Sequence, residues 1–64
     1  MSSKVKVYVE IDRGGIIETR GALGTEDEVR DSVAYYRRHY GADKVLRVRD
    51  ELGRDITDQY GEER

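Results

Sequence analysis

The chain has 64 residues without cysteine, a formal net charge of −2, and 41% charged against 36% hydrophobic residues. This length predicts one domain, residues 1–64 with 1–3 and 61–64 frayed, near the lower limit for folding without disulfides or metal. No apolar run approaches the roughly 20 residues that span a bilayer, no signal peptide opens the chain, and the charge gives no global attraction to nucleic acid, so we expect a soluble cytoplasmic protein.

The strongest strand pattern lies at residues 5–11. Apolar and more polar side chains alternate there, as in a strand with one buried and one solvated face. The inward set is Val5, Val7, Val9 and Ile11. A turn at residues 13–15 and a second strand at 16–23 complete a predicted hairpin.

The register of this hairpin decides which side chains share a face, because residues directly opposite each other in an antiparallel pair point the same way. A two-residue turn would place Ile11 opposite Glu18 and so a charge in the core. A three-residue loop over residues 13–15 places Ile11 opposite Ile17 and uses Gly15 in the left-handed region. We therefore predict the three-residue loop.

A helix is predicted from Glu26 to about Tyr40. The segment Thr25-Glu26-Asp27-Glu28 is a capping box. Apolar and aromatic residues then recur at helical spacing on one stripe, namely Val29, Val33, Tyr36 and Tyr40. Gly41 is the expected stop signal.

Residues 44–50 alternate again as a third strand. Leu46 and Val48 are predicted to point inward, and Val45, Arg47 and Arg49 outward. A second three-residue loop, residues 51–53, would bring residues 55–57 back as a short fourth strand. The remaining residues from Gln59 onward are predicted to form a frayed tail with Tyr60 exposed.

These elements predict an α+β fold of the ββαβ(β) type, with one helix packed on a small antiparallel sheet. The crossover helix gives the strand order 2-1-3, with the fourth strand outermost (2-1-3-4). The predicted core comprises Val5, Val7, Val9, Ile11, Ile17, Leu23, Val29, Val33, Tyr36, Tyr40, Leu46, Val48 and Ile56.

The chain offers few groups for catalysis or cofactor binding. His39, the single histidine, is read as a helix-flank residue rather than a general base, because no second catalytic group accompanies it. Asp55, Asp58, Glu62 and Glu63 lack the spacing of a calcium loop, which favours a solvated acidic tail over a metal site. We expect no enzyme activity, no cofactor and no metal.

One helix covers only one face of the sheet, so the other face is predicted to be open. The chosen register places on it Lys6, Tyr8, Arg20, Arg47 and Arg49. Cations and an aromatic ring suit a nucleic-acid surface, although acidic residues on the same face would repel phosphates.

The outer helix surface offers a second candidate surface, because tyrosine and arginine are the residue types that dominate binding hot spots. Taken together, the predicted protein-binding residues are Tyr35, Arg37, Arg38, Tyr8 and Arg20.

In size and architecture alone, the chain resembles many phage and mobile-element proteins that bind and block a host complex, including inhibitors of CRISPR systems. The leading hypothesis is therefore a non-catalytic protein-binding module, an inhibitor or adaptor. The alternative is a nucleic-acid-binding domain that uses the basic open face. So small a core also leaves a homodimer open, through burial of the open face or pairing of an edge strand.

Overall fold

The computed structural model describes residues 3–60. Its elements are β1 (Val5–Asp12), β2 (Ile17–Gly24), α1 (Glu26–Tyr40), β3 (Val45–Asp50) and a 3₁₀ helix (Thr57–Tyr60). The three strands form an antiparallel sheet in the order β2-β1-β3, and α1 packs on one face of it. The predicted α+β fold and the order 2-1-3 are confirmed. Residues 1, 2 and 61–64, which include most of the predicted frayed ends, lie outside the described residues.

The β1–β2 hairpin closes with a two-residue turn, not the predicted three-residue loop. Gly14 and Gly15 have φ angles of 71° and 94°, and the Arg13 N–H donates to the Ile16 carbonyl at 2.7 Å. Two consecutive residues with positive φ give the backbone twist that matches antiparallel strands, and glycine adopts this conformation without strain.

The shorter turn shifts the register by one residue. Ile11 pairs with Glu18 and Val9 with Arg20, so the predicted pairing of Ile11 with Ile17 is wrong. The charges that argued against this register are not buried, since the side chains of Glu18 and Arg20 are 41% and 44% exposed and form an ion pair. The core therefore does not extend over this end of β2.

A β-bulge reverses the predicted alternation at the start of β3. Glu10 pairs with Arg47, but Ile11 pairs with Val45, so Leu46 is the extra residue. Val45 is buried, whereas Leu46 is 42% exposed. The predictions of an inward Leu46 and an outward Val45 are wrong.

The helix begins and ends as predicted. The Thr25 hydroxyl accepts from the Glu28 N–H, and the Glu28 carboxylate accepts from the Thr25 N–H at 2.9 Å. At the other end, the Gly41 N–H donates to the Arg37 carbonyl.

The predicted fourth strand is not formed. The loop after β3 has the predicted length, because the Asp50 N–H donates to the Arg54 carbonyl across residues 51–53. Beyond it, pairing is limited to one bridge between Arg49 and Asp55. The chain then turns into the 3₁₀ helix.

Tyr60 is buried against α1, with 3% of its surface exposed, so the prediction of an exposed Tyr60 is wrong. Arg30 donates to the Gln59 carbonyl at 2.9 Å, and its guanidinium lies 5.3 Å from the centroid of the Tyr60 ring. Arg37 donates to the Tyr60 carbonyl. Two helix arginines thus hold a segment that shows no periodic pattern in the sequence.

The core lies between α1 and the sheet. It consists of Val7, Val9, Ile11, Ala22, Val29, Val33, Val45, Val48 and Tyr60, with Val5, Tyr36, Tyr40 and Ile56 packed against it. Two predicted core residues, Ile17 and Leu23, are 59% and 66% exposed. The register shift turns both of them to the open face.

Candidate protein-binding surface

The open face of the sheet carries four of its five predicted binding residues, namely Lys6, Tyr8, Arg47 and Arg49. The Lys6 ammonium lies 5.4 Å from the centroid of the Tyr8 ring. Tyr8 pairs with Arg49 across the strands. The sequence therefore placed this group correctly, apart from Arg20.

The positive charge of this face is largely compensated. Glu10 lies between two arginines, with its carboxylate oxygens 3.4 Å from Arg47 Nε and 2.9 Å from Arg49 Nε. The Arg49 contact is ionic without a well-aligned hydrogen bond. Two of the three cations on this face, Arg47 and Arg49, are thus already paired with a carboxylate.

A second carboxylate adds to this compensation. Hydrogen bonds from the Thr57 hydroxyl and N–H hold the pKa of Asp55 below its ordinary value, and the charges of Arg47 and Arg49 lower it further. Asp55 is therefore ionised near the two arginines at neutral pH. The open face offers phosphates little free positive charge.

Arg20 lies on the opposite side of the sheet from these residues, which corrects its predicted place on the open face. It pairs with Val9, which is fully buried under α1. Its guanidinium lies 3.1 Å from the Glu18 carboxylate. That carboxylate, followed by the Tyr40 phenol, raises the pKa of Arg20 above its ordinary value. Arg20 therefore belongs to the helix side of β2.

Tyr35 is the most exposed tyrosine among the described residues, at 53%. Its ring stacks on His39, with centroids 5.5 Å apart and an interplanar angle of 8°. Tyr36 contacts it edge-on at 5.8 Å. These ring contacts favour one orientation of Tyr35, and such preorganisation lowers the entropy lost on binding.

The two helix arginines predicted to bind a partner, Arg37 and Arg38, differ in their surroundings. Arg38 is exposed, whereas Arg37 is half-buried and donates to the Tyr60 carbonyl. Arg37 is thus a structural residue that anchors the 3₁₀ helix, and Arg38 stays available for contact.

The outer edge of β2 is an accessible stretch of backbone that was not predicted from the sequence. Because Arg13 and Ile16 form the hydrogen-bonded pair of the turn, alternate residues of β2 direct their N–H and C=O groups away from β1. We call these the outward residues: Ile17, Thr19, Gly21 and Leu23. Within residues 3–60 they make no hydrogen bond outside the sheet.

All four outward residues are exposed. Their side chains lie on the open face, where Ile17 and Leu23 form an apolar margin. The two-glycine turn was the signal that could have revealed this edge, because that turn fixes which residues of β2 point outward.

The other edge of the sheet is covered at Val48 and Asp50. The Val48 carbonyl accepts from the Ile56 N–H at 2.8 Å, and the Val48 N–H donates to the Thr57 hydroxyl at 3.0 Å. The Asp50 N–H likewise donates to the Arg54 carbonyl at 3.0 Å. The last turn of the described chain thus protects β3 and leaves β2 as the accessible edge.

The aromatic pair of α1 flanks this accessible edge. Arg30 and Arg37 face the 3₁₀ helix on the β3 side, and residues near −100° from the buried stripe on the helical wheel occupy the opposite flank. Tyr35 and His39 fall on that flank, away from the 3₁₀ helix. We call the combined surface the β2 side: the β2 edge, the Ile17 and Leu23 margin, and the Tyr35 and His39 flank.

In the range 3–60, no three His, Cys, Asp or Glu side chains are close enough together to hold a metal ion. A cleft of about 450 Å³ is lined by Val5, Glu26, Asp55 and Tyr60 among others. It lies at the N-terminal end of α1, away from His39. The single helix of this part of the chain is neither long nor apolar enough to cross a membrane.

Comparisons with protein-family models, with curated proteins and with solved structures found no match to this chain.

Proposed function

We propose that the chain is a non-catalytic protein-binding module that docks its partner on the β2 side. The observation that carries this proposal is the unpaired edge of β2, eight residues long. An unpaired edge is a template on which another chain forms main-chain hydrogen bonds, and pockets beside it select alternate side chains.

The edge lacks three of the usual features that prevent such pairing, although its two inward-facing charges are a fourth such feature. β2 contains no proline, no lysine and no bulge. Its charged residues, Glu18 and Arg20, point to the helix side and are paired with each other. An extended segment can therefore approach the outward residues without meeting an unpaired charge.

Side chains above and below the edge supply the contact area. Ile17 and Leu23 are exposed on the open face, and Tyr35 stands beside Arg38 on the helix. Tyrosine and arginine are enriched at binding hot spots, and aromatic rings add large contact area at low entropic cost. In this role the module acts as an inhibitor or adaptor, in keeping with its resemblance in size to proteins that block host complexes.

The proposal is tested by affinity capture from the native host with three proteins: the wild type, Ile17→Lys and Leu52→Lys. Leu52 is 77% exposed in the loop after β3 and provides a matched control. Ile17 faces Asp12 across the hairpin, so a lysine there does not disturb the fold. We expect Ile17→Lys to lose the partner that the wild type and Leu52→Lys retain. Equal recovery by all three proteins would refute docking on the β2 side.

Nucleic-acid binding on the open face is the second candidate, favoured by the cluster of Lys6, Tyr8, Arg47 and Arg49. Such binding weakens steeply with salt, because each neutralised phosphate releases counterions. Unchanged retention on nucleic acid after replacement of both Arg47 and Arg49 by alanine would remove this candidate. The compensation by Glu10 and Asp55 argues for that result.

A further inference from the structure

Resting on the proposed function, we infer that the β2 side is occupied by a second copy of this chain. The two β2 strands would pair antiparallel about a two-fold axis that places Arg20 opposite its own copy. The result is one continuous sheet of six strands in which both edges of β2 are paired.

The hydrogen-bonding pattern favours this register. The outward residues lie symmetrically about Arg20, two on each side, so an antiparallel pairing centred there opposes every outward residue to another outward residue. In such pairs each residue exchanges both its N–H and its C=O, which gives roughly eight new hydrogen bonds between the two β2 strands. The unpaired groups of the edge are then satisfied.

The side-chain pairs also favour the register centred on Arg20. Ile17 faces Leu23 of the second copy at both ends of the interface, and Thr19 faces Gly21. These pairs cover the apolar margin that the hairpin register leaves 59% and 66% exposed. A register centred on Thr19 would pair Glu18 with Arg20 but would leave Leu23 beside the partner's glycine turn, with fewer hydrogen bonds.

The central arginines are the unfavourable element of this arrangement, because like charges directly opposite each other repel. Each Arg20 keeps its own Glu18 carboxylate at 3.1 Å, which offsets the repulsion. Replacing Arg20 by threonine is therefore expected to strengthen self-association. In the register centred on Thr19 the same change would weaken it, so this variant separates the two registers.

The helices add to the interface. A two-fold axis perpendicular to the sheet keeps both copies of α1 on the same face. Since α1 lies over β1 and β2 and strands are about 4.8 Å apart, the helix axes come roughly 10–14 Å from each other. Helices in contact are about 8–10 Å apart, and long side chains such as Tyr35 and His39 span the difference.

Sedimentation equilibrium over micromolar to millimolar concentrations tests the inference. We expect the wild type to dimerise, Ile17→Lys to weaken the dimer by about tenfold or more, and Leu52→Lys to stay within about twofold of the wild type. A wild type that remains monomeric to about 1 mM, or an equal loss in Leu52→Lys, would overturn it. Circular dichroism verifies that each variant is folded.

A cysteine replacement tests the geometry, since the chain has no cysteine of its own. Arg20 and its copy form a non-hydrogen-bonded pair with Cα atoms about 4.5 Å apart, within the range of a disulfide. Arg20→Cys should therefore form a covalent dimer on mild oxidation, and Leu46→Cys, exposed on the β3 edge, should not. The opposite result would exclude the pairing.

The two proposals fail in different ways. A monomeric wild type whose host partner is lost in Ile17→Lys overturns the second copy and leaves the proposed function standing. A dimer that is lost in Ile17→Lys while host capture is unchanged supports the second copy and overturns docking of a host partner.

Discussion

Truncation of Tyr60 should cost this domain a large part of its stability, although the residue lies at the end of the described chain. Its side chain is 3% exposed, and burying a tyrosine removes about 150–250 Å² from water. At about 25 cal/mol per Å² this amounts to roughly 4–6 kcal/mol as an upper bound. Alanine keeps part of this burial and the short 3₁₀ segment can relax, so we expect Tyr60→Ala to lower the free energy of unfolding by about 2–4 kcal/mol.

That loss is large for a chain of 64 residues, whose total stability is on the order of 3–10 kcal/mol. It corresponds to a fall in Tm of roughly 10–30 °C. Urea unfolding followed by far-UV circular dichroism measures it, with Tyr35→Ala as the control. Tyr35 is 53% exposed, so its removal should change stability by less than about 0.5 kcal/mol. Equal effects of the two substitutions would refute the packing of the 3₁₀ helix against α1.

Three further predictions test the bulge, the turn and the Asp50 loop. Val45→Ala should destabilise by about 1–2 kcal/mol and Leu46→Ala by less than about 0.5 kcal/mol; the reverse order in urea unfolding would mean that the strand alternates without a bulge. Gly15→Ala should cost about 1–2 kcal/mol because φ is +94°, whereas Gly15→Asn should cost less; equal costs would argue against the positive φ. The Arg54 N–H holds the pKa of Asp50 below its usual 3.8, so this stabilisation is complete above pH 3.8 and is lost as the pH falls through the folded-state pKa. Asp50→Asn should therefore reduce the loss of stability seen as the pH is lowered below about 4. The same loss in the wild type and in Asp50→Asn would contradict this role of Asp50.

Local sequence signals located the elements well. The capping box and Gly41 fixed both ends of α1, and the alternation of residues 5–11 fixed the central strand. The order of the strands then followed from connection rules. These features depend on neighbouring residues, which is why the sequence alone was sufficient to predict them.

The errors arose where long-range geometry decides. The register was chosen to keep Glu18 out of a core that does not reach that end of β2, and the placement of Arg20, Ile17 and Leu23 failed with it. Leu46 was misplaced by a bulge, which shifts the alternation without any sequence signal. Tyr60 was misplaced because its burial depends on distant helix arginines.

The same distinction holds for the candidate site. Lys6, Tyr8, Arg47 and Arg49 were assigned to the open face from alternation alone, but their compensation by Glu10 depends on the pairing of β1 with β3. The β2 edge was missed because its outward groups are defined only by the register.

Amide hydrogen exchange by NMR over a range of protein concentrations is the most direct test of the β2 side. At low concentration the amides of Thr19 and Gly21 should exchange freely, while those of Glu18 and Arg20, bonded to β1, are protected. As the concentration rises, the outward amides should become protected together, with a midpoint at the dimer dissociation constant. Outward amides that exchange at the same fast rate at every concentration would contradict pairing with a second copy, and strong protection of them in the dilute monomer would contradict the unpaired edge itself.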